Sequence, residues 1–471
     1  MAAYYIEPGF LLTNSLAVRL FHEVASSLPI IDFHSHLDAK EIVQNTGPKN
    51  LTEAWLKHDH YFWRAMRSTG IDEHFITGSA SDYEKFSHWC KAVPYLVGNP
   101  LYHWSHLELA RFFECHQLLN PTNAMEIWQK CTDKLASSLH QPRTLLENLN
   151  VQTLCTTDSP LSSLEYHSLL AHDKLVGKIN TNILPTFRAD DLFAFHNSRQ
   201  FLLFVRDLEL HSSSVIRCFD DYIAAIEKRM QAFHQLGCRL ADLGLPTIEY
   251  KQGSSAEIES AFQRLLAGKE LTIDDQKIVK TQLFTSLGEL CYQFGWAWQL
   301  HIGVSANVNS RRKEELGPCT GFSIINDDSV LGLASLLDSL DRSKQLPKTV
   351  LYNLNPNNNA MFVALCGAFQ DSDTTSGKIQ FGPAWWFNDH KQGIESQLTT
   401  LKNMGALGGF IGMVTDSRNL MSLSRHEYFR RIFCNQLSLW VAQGDIPDDW
   451  DLLTFTVQNI CYSNANAFFD F

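Results

Sequence analysis

A strand-like run, Leu28-Pro-Ile-Ile-Asp-Phe, ends in His34-Ser35-His36. Residues two apart on a strand point to one face, so the two imidazoles can stand side by side at its tip. A neutral imidazole pair of this kind suits a transition metal. His-x-His is weak evidence alone, because polar residues also mark any place where a strand leaves a core. Other strand-like runs end in residues of related chemistry: Arg188, Asp242, His301, Trp385 and Asp416. His34, His36, His301 and Asp416 together would make a ligand set for one divalent cation. Singly, His301 also reads as a core histidine, and Asp416 and Asp242 as helix caps.

These residues need elements that bring them to one place. Beyond the first strand, seven further apolar runs read as strands, with residues 151–157, 181–188, 238–242, 297–303, 348–354, 378–385 and 408–416. Segments of helical period lie between them, clearest at Phe219, Ile223, Ile226, Met230 and Phe233, and again at Ile394, Leu398 and Leu401 before Gly405. Alternating units of this kind predict an α/β fold, a distorted (β/α)8 TIM barrel, whose chemistry sits at the C-terminal ends of the strands. Residues 41–140 show helical character and no strand alternation, with a helix start at Asn123-Ala-Met-Glu126. The expected organisation is therefore residues 1–40 as N-terminal segment and first strand, 41–140 as a helical insertion subdomain, and 141–471 as the rest of the barrel with C-terminal helices. An open doubly wound sheet competes, but Gly405, Gly408, Gly409 and Gly412 precede and enter a strand, whereas a dinucleotide loop follows one.

Composition narrows the function. The 471 residues are 45% hydrophobic and 19% charged, as in a soluble globular protein, and the net charge of −12 leaves no electrostatic footprint for nucleic acid. No apolar run approaches the ~20 residues of a membrane span, and the N-terminus has no basic, then apolar, leader pattern. The 11 cysteines are scattered without a Cys-x-x-Cys pair. They point to reduced, mostly buried thiols, and with neither leader pattern nor span the protein reads as cytoplasmic, with homo-oligomerisation open.

Longer strings are more specific than any single residue. Asp59-His-Tyr-Phe-Trp-Arg-Ala-Met-Arg67, Gly98-Asn-Pro-Leu-Tyr-His-Trp-Ser-His-Leu-Glu108, Cys155-Thr-Thr-Asp158, Leu184-Pro-Thr-Phe-Arg188 and Gln299-Leu-His-Ile-Gly303 occur in this order. Ala384-Trp-Trp-Phe-Asn-Asp389, Thr415-Asp-Ser-Arg418 and Arg425-His-Glu-Tyr-Phe-Arg430 follow. With the His34-x-His36, His301 and Asp416 pattern, they resemble the uronate isomerases of the amidohydrolase superfamily, over nearly the whole chain. The resemblance implies aldose–ketose isomerisation of hexuronates through an enediol, interconverting D-glucuronate with D-fructuronate and D-galacturonate with D-tagaturonate. It implies His34, His36 and Asp416 as ligands of a zinc-type divalent ion, with His301 a further ligand or a partner of metal-bound water. His60 and Tyr61 would be a proton-transfer dyad, Arg188 and Arg418 would hold substrate oxygens, Asp242 would assist catalysis, and Trp385 would wall the sugar.

Packing and ion pairing are the ordinary alternatives for His60-Tyr61, the two arginines and Trp385. The chain also departs from the family pattern. Where that pattern has an arginine after His301-Ile-Gly303, this chain reads Val304-Ser305-Ala306, and Leu243 follows Asp242 where a histidine is usual. A charge-assisted contact of the kind Ala306 cannot make is typically worth ~1.5–3 kcal/mol. Arg311 or Arg312 could replace it, or form a solvent-facing pair. The departures leave a metal-dependent hydrolase, or an isomerase of another acid sugar, as the alternative function.

Overall fold

The computed structural model describes residues 5–326, 330–372 and 377–471. Ten strands are present among them: β1 Ile30–Asp32, β2 Val151–Cys155, β3 Asn182–Leu184, β4 Phe187–Arg188, β5 Leu240–Leu245, β6 Ala297–Ile302, β7 Val304–Ser305, β8 Ile324–Ile325, β9 Thr349–Asn353 and β10 Ile379–Phe381. The parallel ladders run β1-β2-β3 and β4-β5-β6-β9-β10, while β7 and β8 form a short antiparallel ribbon outside them. A parallel bridge between Asp158 and Phe187 joins the two ladders. Helices cover the outside, and the arrangement is the distorted (β/α)8 barrel expected.

The sequence reading and the strands differ in several places: the expected strand 378–385 is only β10, which ends at Phe381 four residues before Trp385, the ribbon β7–β8 is additional to the eight expected strands, and three further differences are larger. The run 181–188 splits into β3 and β4 because Pro185, between them, has no N–H for a ladder. The fourth predicted strand starts and ends later, so that Asp242 is the third of six residues in β5 and not its last. Residues 408–416 form no strand: Leu407–Gly409 is a 3-10 turn, and the rest is irregular. The cause is local backbone geometry, since Gly412 at φ +84° lies so close to the Ile460 carbonyl that no Cβ fits, and Asp416 is itself left-handed at φ +49°. This segment still lies along the end of β1, with the Asp416 N–H donating to the His34 carbonyl at 3.1 Å and the His36 N–H to the Ser417 carbonyl at 2.8 Å. The ladder is thus discontinuous at the point where the barrel closes.

Buried side chains explain why the strands hold together. Phe33, Cys155, Leu240, Val350, Tyr352, Ile411 and Val414 pack inside the barrel with Phe468 and Phe469, which plug it from the C-terminal helix Asn464–Phe469. A larger core runs from Ile6 through the helical residues to Ile460. Between β1 and β2 the described elements are all helical, among them Ala39–Gln44, Leu51–Trp55, His60–Ser68, Asp82–Ala92, Pro100–Phe113 and Ala124–Leu135. The last begins at the expected Asn123. Helix Phe219–Gln235 buries Phe219, Ile226, Met230 and Phe233, and helix Lys391–Met404 stops before an extended Gly405. All 11 cysteines are free and most are buried. Among the described residues, no helix is long and apolar enough to cross a membrane.

One buried carboxyl in the helical block predicts a pH effect. Glu108, only 2% exposed, accepts the Trp55 indole N–H at 2.6 Å, yet burial pushes its carboxyl up to about 7. Between about pH 4.5 and 7 the folded chain holds this proton and the unfolded chain has released it, so stability falls as pH rises through that window. Glu108→Gln keeps the acceptor for Trp55 and has no proton to lose. The variant should therefore gain on the parent above pH 7 by about 3 kcal/mol, on the scale of 1.4 kcal/mol per pKa unit. Denaturant midpoints at pH 5 and pH 8 measure this, and parallel pH dependences in the two proteins would refute it.

Candidate active site

The end of β1, the segment before Ser417 and the helix His60–Ser68 meet at the barrel mouth. His36 Nε2 lies 3.0 Å from Asp416 Oδ1, and His34 Nε2 lies 3.5 Å from the same oxygen. The other Asp416 oxygen accepts the Trp386 indole N–H at 3.1 Å. Burial alone would raise the Asp416 carboxyl, but the two histidines hold it well below the usual carboxylate range. Both Asp416 and Trp386 have positive φ, a backbone conformation that non-glycine residues keep only when their surroundings enforce it. Part of that enforcement is Asp32, which takes the Thr415 N–H at 3.0 Å and also the Thr415 hydroxyl.

A second group lies deeper. His34, Asp242 and His301 have side-chain ligand atoms within 4.8 Å of one another, as have His34, His36 and Asp416. His34 is shared: its Nδ1 faces Asp242 Oδ2 at 3.8 Å, while its Nε2 faces Asp416. The structure thus sets His301 beside Asp242 and His34, stacked on Tyr352 with ring centres 4.1 Å apart. Trp385 closes on His301 at 4.8 Å. Arg188 donates to Asp242 at 2.6 Å and is held on its other side by Asp190.

These donors fit a divalent ion. His34 Nδ1, both ring nitrogens of His301 and Asp242 Oδ1 are buried without a hydrogen-bond partner. Such atoms are destabilising unless something meets them. Burial lowers His36 to about 4 and His301 well below its ordinary value, which keeps both imidazoles in the uncharged form that metals bind.

The helical block supplies the remaining groups. Asp59 caps helix His60–Ser68, its side chain accepting the Tyr61 N–H at 2.8 Å, and so fixes the turn that carries His60 and Tyr61. Their rings stack at 4.8 Å, and His60 meets Trp386 at 4.7 Å, so that one indole links the pair to Asp416. Burial first, and Arg418 second, lower His60 to about 4. Burial and the charges of Asp416 and Asp389 raise the Tyr61 phenol well above its ordinary value. At neutral pH the pair is a free imidazole and an intact phenol. Arg418 is half-buried and donates to the Asp416 carbonyl at 3.3 Å.

Some neighbours were not singled out by the sequence reading. Trp386, beside Trp385, is one of them. Beneath Tyr61, Arg425 lies 3.8 Å from both Asp59 and Asp389 and covers Trp104. Asp59, Asp389 and Arg425 all occur in the family-like strings, which is the signal that could have marked them. Arg311 and Arg312 both pair with Glu315 on the helix Ser310–Leu316, and Ala306 is exposed, so the solvent-facing reading of those arginines holds.

The loop that leaves β6 after His301 returns across the helix of His60. Arg64 donates to the Ser323 carbonyl at 2.8 Å, and Arg67 to the Thr320 carbonyl while pairing with Glu73. Gly321, at φ +93°, lies so close that a Cβ would come within 3.1 Å of the His60 carbonyl oxygen. Gly321→Ala should therefore lift this strap, destabilising the protein by about 1 kcal/mol or more, with a lower kcat. Melting and steady-state rates measure both, and a variant equal to the parent in each would refute the contact.

A distorted (β/α)8 barrel with a histidine and carboxylate cluster at its mouth defines an enzyme scaffold of the amidohydrolase type. Residues 2–469 match the family model for glucuronate isomerase. The uronate isomerase of Bacillus licheniformis is 45% identical over 468 residues, covering 99% of this chain and 98% of that protein. That of Bacillus subtilis is 44% identical over 468 residues, with 99% and 98% covered. The crystal structure of uronate isomerase from Thermotoga maritima superposes with a TM-score of 0.92 at 32% identity, covering 99% of this chain and all of that one. Glucuronate isomerase from Caulobacter crescentus, at 22% identity, shares the fold with a TM-score of 0.89 over 98% of this chain and 96% of that one. The chain belongs to the glucuronate isomerase family and is an isomerase.

Proposed function

We propose that this isomerase interconverts aldo- and ketohexuronates, D-glucuronate with D-fructuronate and D-galacturonate with D-tagaturonate, through an enediol. The observation that carries the reading is the stacked His60–Tyr61 pair, brought by Trp386 onto the Asp416 carboxylate beside His34 and His36. The reaction moves a proton from C2 to C1 and a second from the O2 hydroxyl to O1, which calls for one base and one acid held on the same edge of the sugar. His60 Nε2, buried without a partner, accepts the C2 proton and returns it to C1. The Tyr61 hydroxyl gives its proton to O1 and regains one from O2.

His34, His36 and Asp416 would hold a zinc-type divalent ion, with His301 as further ligand or water partner. Such an ion, when bound, polarises a carbonyl and its neighbouring hydroxyl. Asp242 faces the Nδ1 side of His34 at 3.8 Å and assists as a buried carboxylate beside the ligand set. Arg418 has no carboxylate within 4 Å among the described residues and is free to take the substrate carboxylate. Arg188 is committed to Asp242 and Asp190 but is 28% exposed, so it keeps N–H groups for a sugar oxygen. Trp385 walls the sugar. The 11 free thiols agree with a cytoplasmic setting.

The test is turnover by purified, metal-loaded protein. Interconversion of glucuronate and fructuronate, with bound metal in stoichiometric amount, is the expected result. No turnover of any hexuronate would overturn the reading.

A further inference from the structure

A cavity of about 250 Å³ lies beside the mouth, between residues 41–49, residues 53–58, residues 135–145 and residues 418–421. Its charged walls are Glu41, Lys49, Glu53, Lys57 and Arg418, with the imidazole of His58 between them. Arg418 belongs to both spaces. On the reacting side its charge bears on His36, His60 and Tyr61, and on the cavity side it bears on His58. Lys57 is exposed and, like Arg418, forms no ion pair within 4 Å among the described residues. Around the outward face of the His60 helix, the strap pinned by Arg64 and Arg67 occupies the surface. A larger cavity, about 1070 Å³, beside the helix Arg425–Gln443 has most of its charges paired: Glu427 holds Arg111 and Arg431, Glu114 holds Lys134, and Arg430 is spent on the Ala25, Leu28 and Pro29 carbonyls.

We infer that the cavity beside Arg418 is the access route of the substrate and an outer binding station for a small sugar carboxylate, received at Lys57 and passed to Arg418. This rests on the hexuronate reading above. The physical need is plain, because an anion approaching a chain of net charge −12 meets a repulsive field unless a local path is positive. Lys49, Lys57 and Arg418 outnumber Glu41 and Glu53 in the cavity wall, which leaves it net positive, and Arg418 stands within reach of both the cavity and Asp416 with its histidines.

The experiment compares Lys57→Glu and Gln44→Trp with the parent enzyme on glucuronate, metal-loaded, across ionic strength. Gln44 is an exposed residue of the cavity wall, so tryptophan there obstructs it without entering a core. Lys269→Glu, exposed and outside the cavity, repeats the change of net charge. The expected result for Lys57→Glu is a fall in kcat/KM of about fivefold at low salt that shrinks at high salt, carried by KM, since steering charges act through screened long-range fields. Gln44→Trp should lower kcat/KM at every ionic strength, and Lys269→Glu should match the parent. Lys57→Glu indistinguishable from Lys269→Glu, or kcat falling in step with kcat/KM, would overturn the access route alone. A parent enzyme silent on every hexuronate would overturn the route together with the substrate reading.

Discussion

Asp416→Asn is expected to lower kcat/KM by about 10³-fold or more, equivalent to ~4 kcal/mol of transition-state stabilisation. One carboxylate serves three partners, with His36 and His34 on Oδ1 and the Trp386 indole on Oδ2. Asparagine preserves the size and a carbonyl acceptor for Trp386, but not the charge. His34 and His36 would then face an amide, and a divalent ion would lose its anionic ligand. The backbone should not suffer, because asparagine tolerates the left-handed conformation that Asp416 adopts at φ +49°. The informative result is therefore loss of activity together with loss of bound metal, measured by elemental analysis, in a protein that still unfolds cooperatively. Full activity with full metal content would show that the cluster has another purpose.

Arg425→Met should give the largest loss of stability. Arg425 is 2% exposed, donates to the Thr415 carbonyl at 2.9 Å, lies 3.8 Å from Asp59 and from Asp389, and covers the Trp104 ring at 3.8 Å. Methionine fills much of the space but leaves two buried carboxylates without their cation. Removing one partner of a buried ion pair typically costs about 3–5 kcal/mol. Burial already raises the Asp389 carboxyl to about 7, so its anionic form depends on the arginine. Adding Asp389→Asn to the methionine variant should restore part of the loss, which separates charge imbalance from simple misfit. Denaturant midpoints of the parent, the two single variants and the double variant decide this. An Arg425→Met midpoint equal to that of the parent would remove the argument. The same variant bears on chemistry, because Asp59 caps the turn that holds His60 and Tyr61.

Local chemistry made much of this protein readable in one dimension. His34-x-His36 at the end of an apolar run and His301 near the end of another are statements about strand tips, which near neighbours in sequence set, whereas Asp416 follows an apolar run that forms no strand. Barrel class followed from the alternation of strand and helix periods, which is likewise local. The strings around Asp59–Arg67 and Ala384–Asp389 carried the family. Where local patterns competed, the reading slipped: Pro185 divided one expected strand, and Gly412 with Asp416 kept residues 408–416 out of the sheet.

Only the tertiary structure decided which of those residues share an atom's neighbourhood. That His34 turns one nitrogen to Asp416 and the other to Asp242, that Trp386 ties His60 to Asp416, and that Arg425 balances Asp59 and Asp389 all depend on side chains tens or hundreds of positions apart. Residue type and spacing determine what a group can do and which face of its own element it occupies. Distance between elements, and the burial that sets the charge state of His36, His60 and Tyr61, arise from packing of the whole chain and have no local signature.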